Sequence, residues 1–111
     1  MWHVASKLNS PNAEFFYTQA WLNIVEDHRL WLREHEKTTT SPISPYDLEI
    51  YKGNFISFLL SKDIPHYLHW TILRMNNLVS PEQFDHNYKF FYVPSIDTIE
   101  QLRKMAMTST Q

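Results

Sequence analysis

Tyr46-Asp-Leu-Glu-Ile-Tyr-Lys-Gly-Asn-Phe-Ile-Ser57 opens the stretch that decides the fold, and Phe90-Phe-Tyr-Val-Pro94 closes it. Leu48 and Ile50 fall on one side of an alternating run, with Asp47, Glu49 and Tyr51 on the other. That pattern predicts a half-buried strand over 47–51. Gly53 turns the chain, and Asn54 is suited to cap a helix because its side-chain oxygen accepts from a free backbone N–H. Phe55 to Ser61 reads as a short apolar helix. Pro65 fits the first position of a second helix, where its missing N–H costs nothing. Leu68, Ile72 and Met75 then recur at helical spacing, and Asn76, Asn77 and Pro81 end that helix in a loop. Tyr88 to Val93 alternates as a last strand, which Pro94 stops because it cannot donate to a ladder. The expected core is a two-stranded antiparallel sheet on two helices, burying Leu48, Ile50, Phe58, Leu59, Leu68, Ile72, Phe91 and Val93. Asn76 is expected to be held by backbone hydrogen bonds at the helix end.

Upstream, Ser10-Pro11 has the form of a helix start. Tyr17, Trp21, Ile24, Val25, His28, Trp31, Leu32 and His35 recur at helical steps, predicting one long helix to Lys37. Phe15, Phe16, Leu22 and Leu30 lie off that stripe, so apolar surface covers more than one face. Such surplus points to contact with another chain, with Trp2, Phe15, Phe16 and Trp31 as the leading interface residues. Thr38 to Pro45 reads as a linker rich in helix-breaking residues. After Pro94, Ser95 or Asp97 caps a final helix with Ile99, Leu102 and Met105 or Ala106 on its apolar side, and residues 108–111 fray. The expected organisation is an arm, long helix and linker over 1–45, a module over 46–94, and a C-terminal helix and tail over 95–111.

The chain has 111 residues, net charge −2, one glycine and no cysteine. That length suits one domain. A weakly acidic chain has no basic field for phosphate backbones, which argues against nucleic acid as a partner. Without cysteine there is no disulfide or thiolate chemistry, which fits a reducing compartment. No stretch has the form of a leader peptide, and no apolar run approaches the roughly 20 residues of a membrane helix. A single glycine leaves no phosphate-cradling loop, and no catalytic motif is present. His66 and His69 stand at i, i+3, but a metal would need a third ligand; Asp63 and Glu82 are candidates that the sequence does not place. Glu34-His35-Glu36 reads as a solvated face with one inward histidine, and His28 and His35 as packing residues with a polar tip. Neither an enzyme nor a cofactor is expected.

Three pieces together resemble a LysM-like module: Tyr51-Lys52-Gly53-Asn54 with Ser57, Ile72 to Leu78 with its Asn76-Asn77-Leu78 turn, and Phe91-Tyr92-Val93-Pro94. The resemblance covers about half the chain. It implies an α+β fold of strand-helix-helix-strand, here with a long helix in front and a short one behind. Modules of this kind also occur in the baseplate wedge proteins of contractile-tailed phages, where they dock neighbours and bind no sugar. The resemblance therefore implies a structural tail protein, present in several copies in a symmetric assembly. Its partners would be other tail or baseplate proteins, with no membrane involved. It would be built into the virion after assembly in the host cytoplasm. In the glycan-binding branch of the family the groove would map to Gly53, Asn54, Phe55, Val79, Ser80 and Pro81, with peptidoglycan or chitin as ligand. A small helical regulator or immunity-type protein is the third alternative.

Overall fold

The computed structural model describes residues 13–109. Among them the architecture is α+β: six α-helices and a two-stranded antiparallel sheet. A 3₁₀ turn over Ala13–Tyr17 leads into α1 (Gln19–Asp27) and α2 (Arg29–Glu34). β1 (Thr39–Pro42) is followed by α3 (Pro45–Tyr51) and α4 (Phe55–Ser61). A 3₁₀ turn over His66–Leu68 runs into α5 (His69–Met75). β2 (Phe90–Val93) pairs with β1, Thr39 opposite Val93 and Pro42 opposite Phe90. α6 (Ile96–Ser109) closes the chain.

Two expectations are corrected. Residues 47–51 are helical, and the strand lies in the stretch read as a linker. Ser44 caps α3, its Oγ accepting from the Asp47 N–H at 3.0 Å, with Pro45 at the first helical position. The apparent alternation of Leu48 and Ile50 is a helix seen over too few residues. Leu48 and Tyr51, three apart, pack partly on the core, while Tyr46 and Ile50, four apart, face outward. Ile50 therefore leaves the expected core and Leu48 is only half-buried, whereas Phe58, Leu59, Leu68, Ile72, Phe91 and Val93 are buried. The β-branched threonines at 39 and 40 supply the first strand instead.

The single long helix is the second correction. Thr18 starts α1 afresh, its Oγ1 accepting from the Trp21 N–H. At His28 the backbone leaves helical geometry, and the ring Nδ1 bonds back to the Ile24 carbonyl. These breaks let one apolar sequence wrap the core from several sides. Trp21, Val25 and Leu32 are buried, each within this chain. The predicted start at Ser10-Pro11 lies outside the described residues.

Pro65 is the extended residue before the 3₁₀ turn and not the first residue of α5, and α6 runs on through Thr108 and Ser109, against the expected fraying. Several other local readings hold. Asn54 Oδ1 accepts from the Ser57 N–H and caps α4. Ser95 Oγ accepts from the Thr98 N–H and starts α6, which buries Ile99, Leu102 and Ala106 and leaves Met105 exposed. α4 and α5 both end without glycine. In each, one residue takes the left-handed backbone (Asp63, φ 61°; Asn77, φ 63°) and the next apolar residue turns into the core. The Ile64 N–H reaches the Leu59 carbonyl and the Leu78 N–H the Leu73 carbonyl, which are the long bonds of Schellman caps.

Candidate functional site

The most constrained polar centre is where α5 meets β2. Asn76, 7 % exposed, sits at the C-terminal cap of α5. Its Nδ2 donates to the Ile72 carbonyl at 2.7 Å and to the Tyr92 carbonyl at 3.1 Å. Its Oδ1 accepts from the Tyr92 N–H at 2.7 Å. One side-chain amide thus presents to Tyr92 the donor and acceptor that a neighbouring strand would present. The expectation of a backbone-held Asn76 is met, and the strand contact adds to it.

Arginines surround this helix end, where unpaired carbonyls carry partial negative charge. Arg33 donates from Nε to the Met75 carbonyl at 3.1 Å, and its guanidinium lies 4.5 Å from the centre of the Tyr92 ring. With the Asn77 amide oriented so that its oxygen faces Arg33, that oxygen accepts from both terminal nitrogens. Arg74 holds Glu26 through two nitrogens and donates to the Leu78 carbonyl at 2.6 Å. The hydrogen bond from Arg74 holds the Glu26 carboxyl below its ordinary pKa, against the opposing effect of burial and with help from the charges of Arg74 and Arg29. Arg29 Nε also lies 3.2 Å from Glu26, but without hydrogen-bond alignment, so that contact is charge attraction alone. Opposite this centre the Trp21 indole N–H donates to the Thr71 hydroxyl at 2.8 Å, joining α1 to α5 inside the core.

The expected interface residues separate. Trp2 lies outside the described residues. Phe16 is 4 % exposed, edge-on to Trp21 and stacked on Tyr67 at 5.0 Å, so its surface is taken up by its own chain. Phe15 and Trp31 are half-buried, and Trp31 packs edge-on between His28 and His35. In the same stretch Leu30 and Tyr17 do face outward, and further exposed apolar side chains lie elsewhere. α3 buries no residue fully and holds Tyr46 (72 % exposed) and Ile50 (49 % exposed) one turn apart, and Leu60 is exposed on α4, which packs against α3. Val79 and Phe90 are exposed as well. Sequence reading missed α3 as an outward-facing helix because it took those residues for a strand.

The positions of the alternative groove do meet. The Gly53 N–H donates to the Phe84 carbonyl at 2.6 Å, which brings the Gly53-Asn54 turn beside the 3₁₀ turn Pro81–Gln83. Gly53 has φ 74°, a conformation that favours glycine. Val79 is exposed beside Ser80, but Phe55 points into the core, between Phe58 and Phe84. The His66 and His69 rings lie 5.1 Å apart, yet His69 is turned inward, bonding the Ile64 carbonyl, while His66 contacts the Tyr17 hydroxyl. Among the described residues no three His, Asp or Glu side chains gather as a metal site would need. No helix among them is long and apolar enough to cross a membrane. No protein-family model matches the chain, nor does any curated protein or solved structure.

Proposed function

We propose that this chain is a structural docking protein of a phage tail, in the manner of the LysM-like wedge components of contractile-tailed baseplates. It would work in several copies among other tail proteins, inside a virion assembled in the host cytoplasm. It would use no cofactor and no chemistry. The observation that carries the docking role is α3, a helix with no fully buried residue that holds Tyr46 and Ile50 outward, with Leu60 exposed on the α4 helix packed against it. Exposed clusters of large apolar side chains usually mark interfaces, and aromatics there bury area at little entropic loss. The tail setting rests on the sequence resemblance at Gly53-Asn54, Asn76-Asn77-Leu78 and Tyr92-Val93-Pro94.

The test is co-expression of the chain with candidate wedge proteins. A stoichiometric complex is expected, lost on Tyr46→Glu with Ile50→Glu while the thermal midpoint stays near that of the parent. A glycan-binding module is the second reading, favoured by the contact of the Gly53 turn with the 80–84 segment. A chain that stays monomeric, forms no such complex and sediments with insoluble peptidoglycan or chitin would replace the first reading with the second.

A further inference from the structure

The two outer edges of the β1–β2 ribbon differ. On β2, Tyr92 turns its N–H and C=O away from β1 and onto the Asn76 amide. Opposed residues of an antiparallel pair turn their backbone groups together, either toward each other or away, and the two cases alternate along the strand. Thr40, opposite Tyr92, therefore points its N–H and C=O away from β2, and so does Pro42, opposite Phe90, with its C=O. The Ile43 N–H, donating to the Lys89 carbonyl at 2.9 Å, agrees with that phase. The outer edge of β1 thus offers one donor, the Thr40 N–H, and two acceptors, the carbonyls of Thr40 and Pro42. Proline has no N–H to add. Thr40 and Pro42 are exposed, and β2 is the only strand that pairs with β1 among the described residues.

We propose that this edge receives an extended, proline-free segment of a different protein, added antiparallel as a third strand. The hydrogen-bond count selects that occupant over a second copy. Two copies can pair antiparallel with Thr40 opposite Thr40, or with Thr40 opposite Pro42. In either register only two bonds form, both donated by Thr40, and one carbonyl on each copy is left unanswered. A foreign segment with an N–H at each facing position answers all three groups. The residue opposite Thr40 exchanges both bonds with it, and the residue opposite Pro42 donates to the Pro42 carbonyl. Proline on an edge strand is a known means of blocking self-pairing. Thr40, Pro42, Phe90 and Tyr92 share one face of the ribbon, where Phe90 is half-exposed and edge-on to Tyr92. A β-branched or aromatic side chain opposite Thr40 would extend that strip. This is strand addition, in which main-chain bonds supply binding and alternate side chains supply choice. The inference rests on strand geometry and does not need the tail reading.

The test uses the full chain, isotope-labelled, titrated to millimolar levels with a short peptide alternating threonine and valine. The Thr40 amide resonance should shift and its exchange with solvent slow, with changes centred on 39–42. Thr40→Pro removes the single donor at an edge position whose N–H has no partner among the described residues, and should abolish those changes. Pro42→Thr supplies the missing donor, makes the edge self-complementary, and should double the sedimenting mass relative to the parent chain. It also keeps the proposal testable should Thr40→Pro fail to fold. An unshifted Thr40 amide, shifts that persist in Thr40→Pro, or a Pro42→Thr chain that sediments as the parent would each overturn the proposal.

Discussion

Replacing Asn76 by Ala should be among the most damaging single polar substitutions in this chain. Three hydrogen bonds vanish: two to Tyr92 and one to the Ile72 carbonyl. The Ile72 carbonyl keeps the Asn76 backbone N–H at 3.1 Å, so it is not stranded. The Tyr92 N–H and C=O are, because β1 lies on their other side. A buried group left without its partner costs about 1–3 kcal/mol, and water reaching the half-buried Tyr92 relieves part of that. The expected loss is therefore about 2–4 kcal/mol. In urea, with a slope of about 1–2 kcal/mol per molar, the unfolding midpoint should fall by roughly 2 M. Asn76→Asp separates the amide's two roles. Its carboxylate still accepts from the Tyr92 N–H, but it aims negative charge at the two carbonyls the amide once bonded. At neutral pH it should be less stable than Asn76→Ala, and the gap should narrow in acid as the carboxylate protonates. An Asn76→Ala loss below about 1 kcal/mol, or an Asp variant as stable as the parent, would refute the strand-surrogate argument.

Ile72→Ala, in a fully buried site, should cost about 2–5 kcal/mol in the same urea assay. Burial lowers the His69 pKa, opposed by its bond to the Ile64 carbonyl and aided by nearby His66. The unfolded chain then takes up a proton that the folded chain resists, so stability from this site is intact above about pH 6.5 and lost as the pH falls below it. His69→Gln, which can still donate to Ile64, should flatten the part of the acid slope below about pH 6.5 that His69 contributes. Asp63→Gly relieves a left-handed backbone at the end of α4 and should stabilise by up to about 1 kcal/mol, read as a higher thermal midpoint. Glu26→Gln should cost about 1 kcal/mol or less, because the carboxylate is well exposed, and the loss should shrink in high salt.

What the sequence made legible was local. Asn54 as a cap, Asn76 at a helix end and Ser95 before the last helix each follow from a side chain within reach of its own backbone. β1 was hidden because its identity depends on Phe90–Val93, about fifty residues away, and threonine alone does not distinguish strand from linker. The Ser-Pro helix-start signal of Ser10-Pro11 also stands at Ser44-Pro45, where it competes with the strand-like alternation of Leu48 and Ile50 and the structure follows the cap. The break at His28 has neither proline nor glycine to announce it. The surplus of apolar residues in 15–32 is divided by the fold: Trp21, Val25 and Leu32 are absorbed inside, while Leu30 and Tyr17 stay exposed. The salt bridge of Arg74 with Glu26 and the Trp21–Thr71 bond join residues 48 and 50 positions apart and left no periodic trace.

These long-range ties bear on how the chain can dock. A lone two-stranded ribbon is marginal in water and needs a third support. Here β2 has that support from within: Asn76 occupies its free edge, and Arg33 lies over Tyr92 while bonding the Met75 carbonyl. α5 is fixed in turn to α1 through Thr71 and Trp21. The ribbon's inner side is thereby coupled to the core, while the outward side of α3 and the edge of β1 are peripheral. Neither has to be uncovered by moving a packed element. A partner engaging them meets a preformed surface and does not have to offset the ordering entropy that a folding-on-binding segment carries. Docking at these two places should therefore leave the amide exchange of α5 and β2 unchanged. Strong new protection there on complex formation would mean that the core reorganises, contrary to a scaffold held by Asn76.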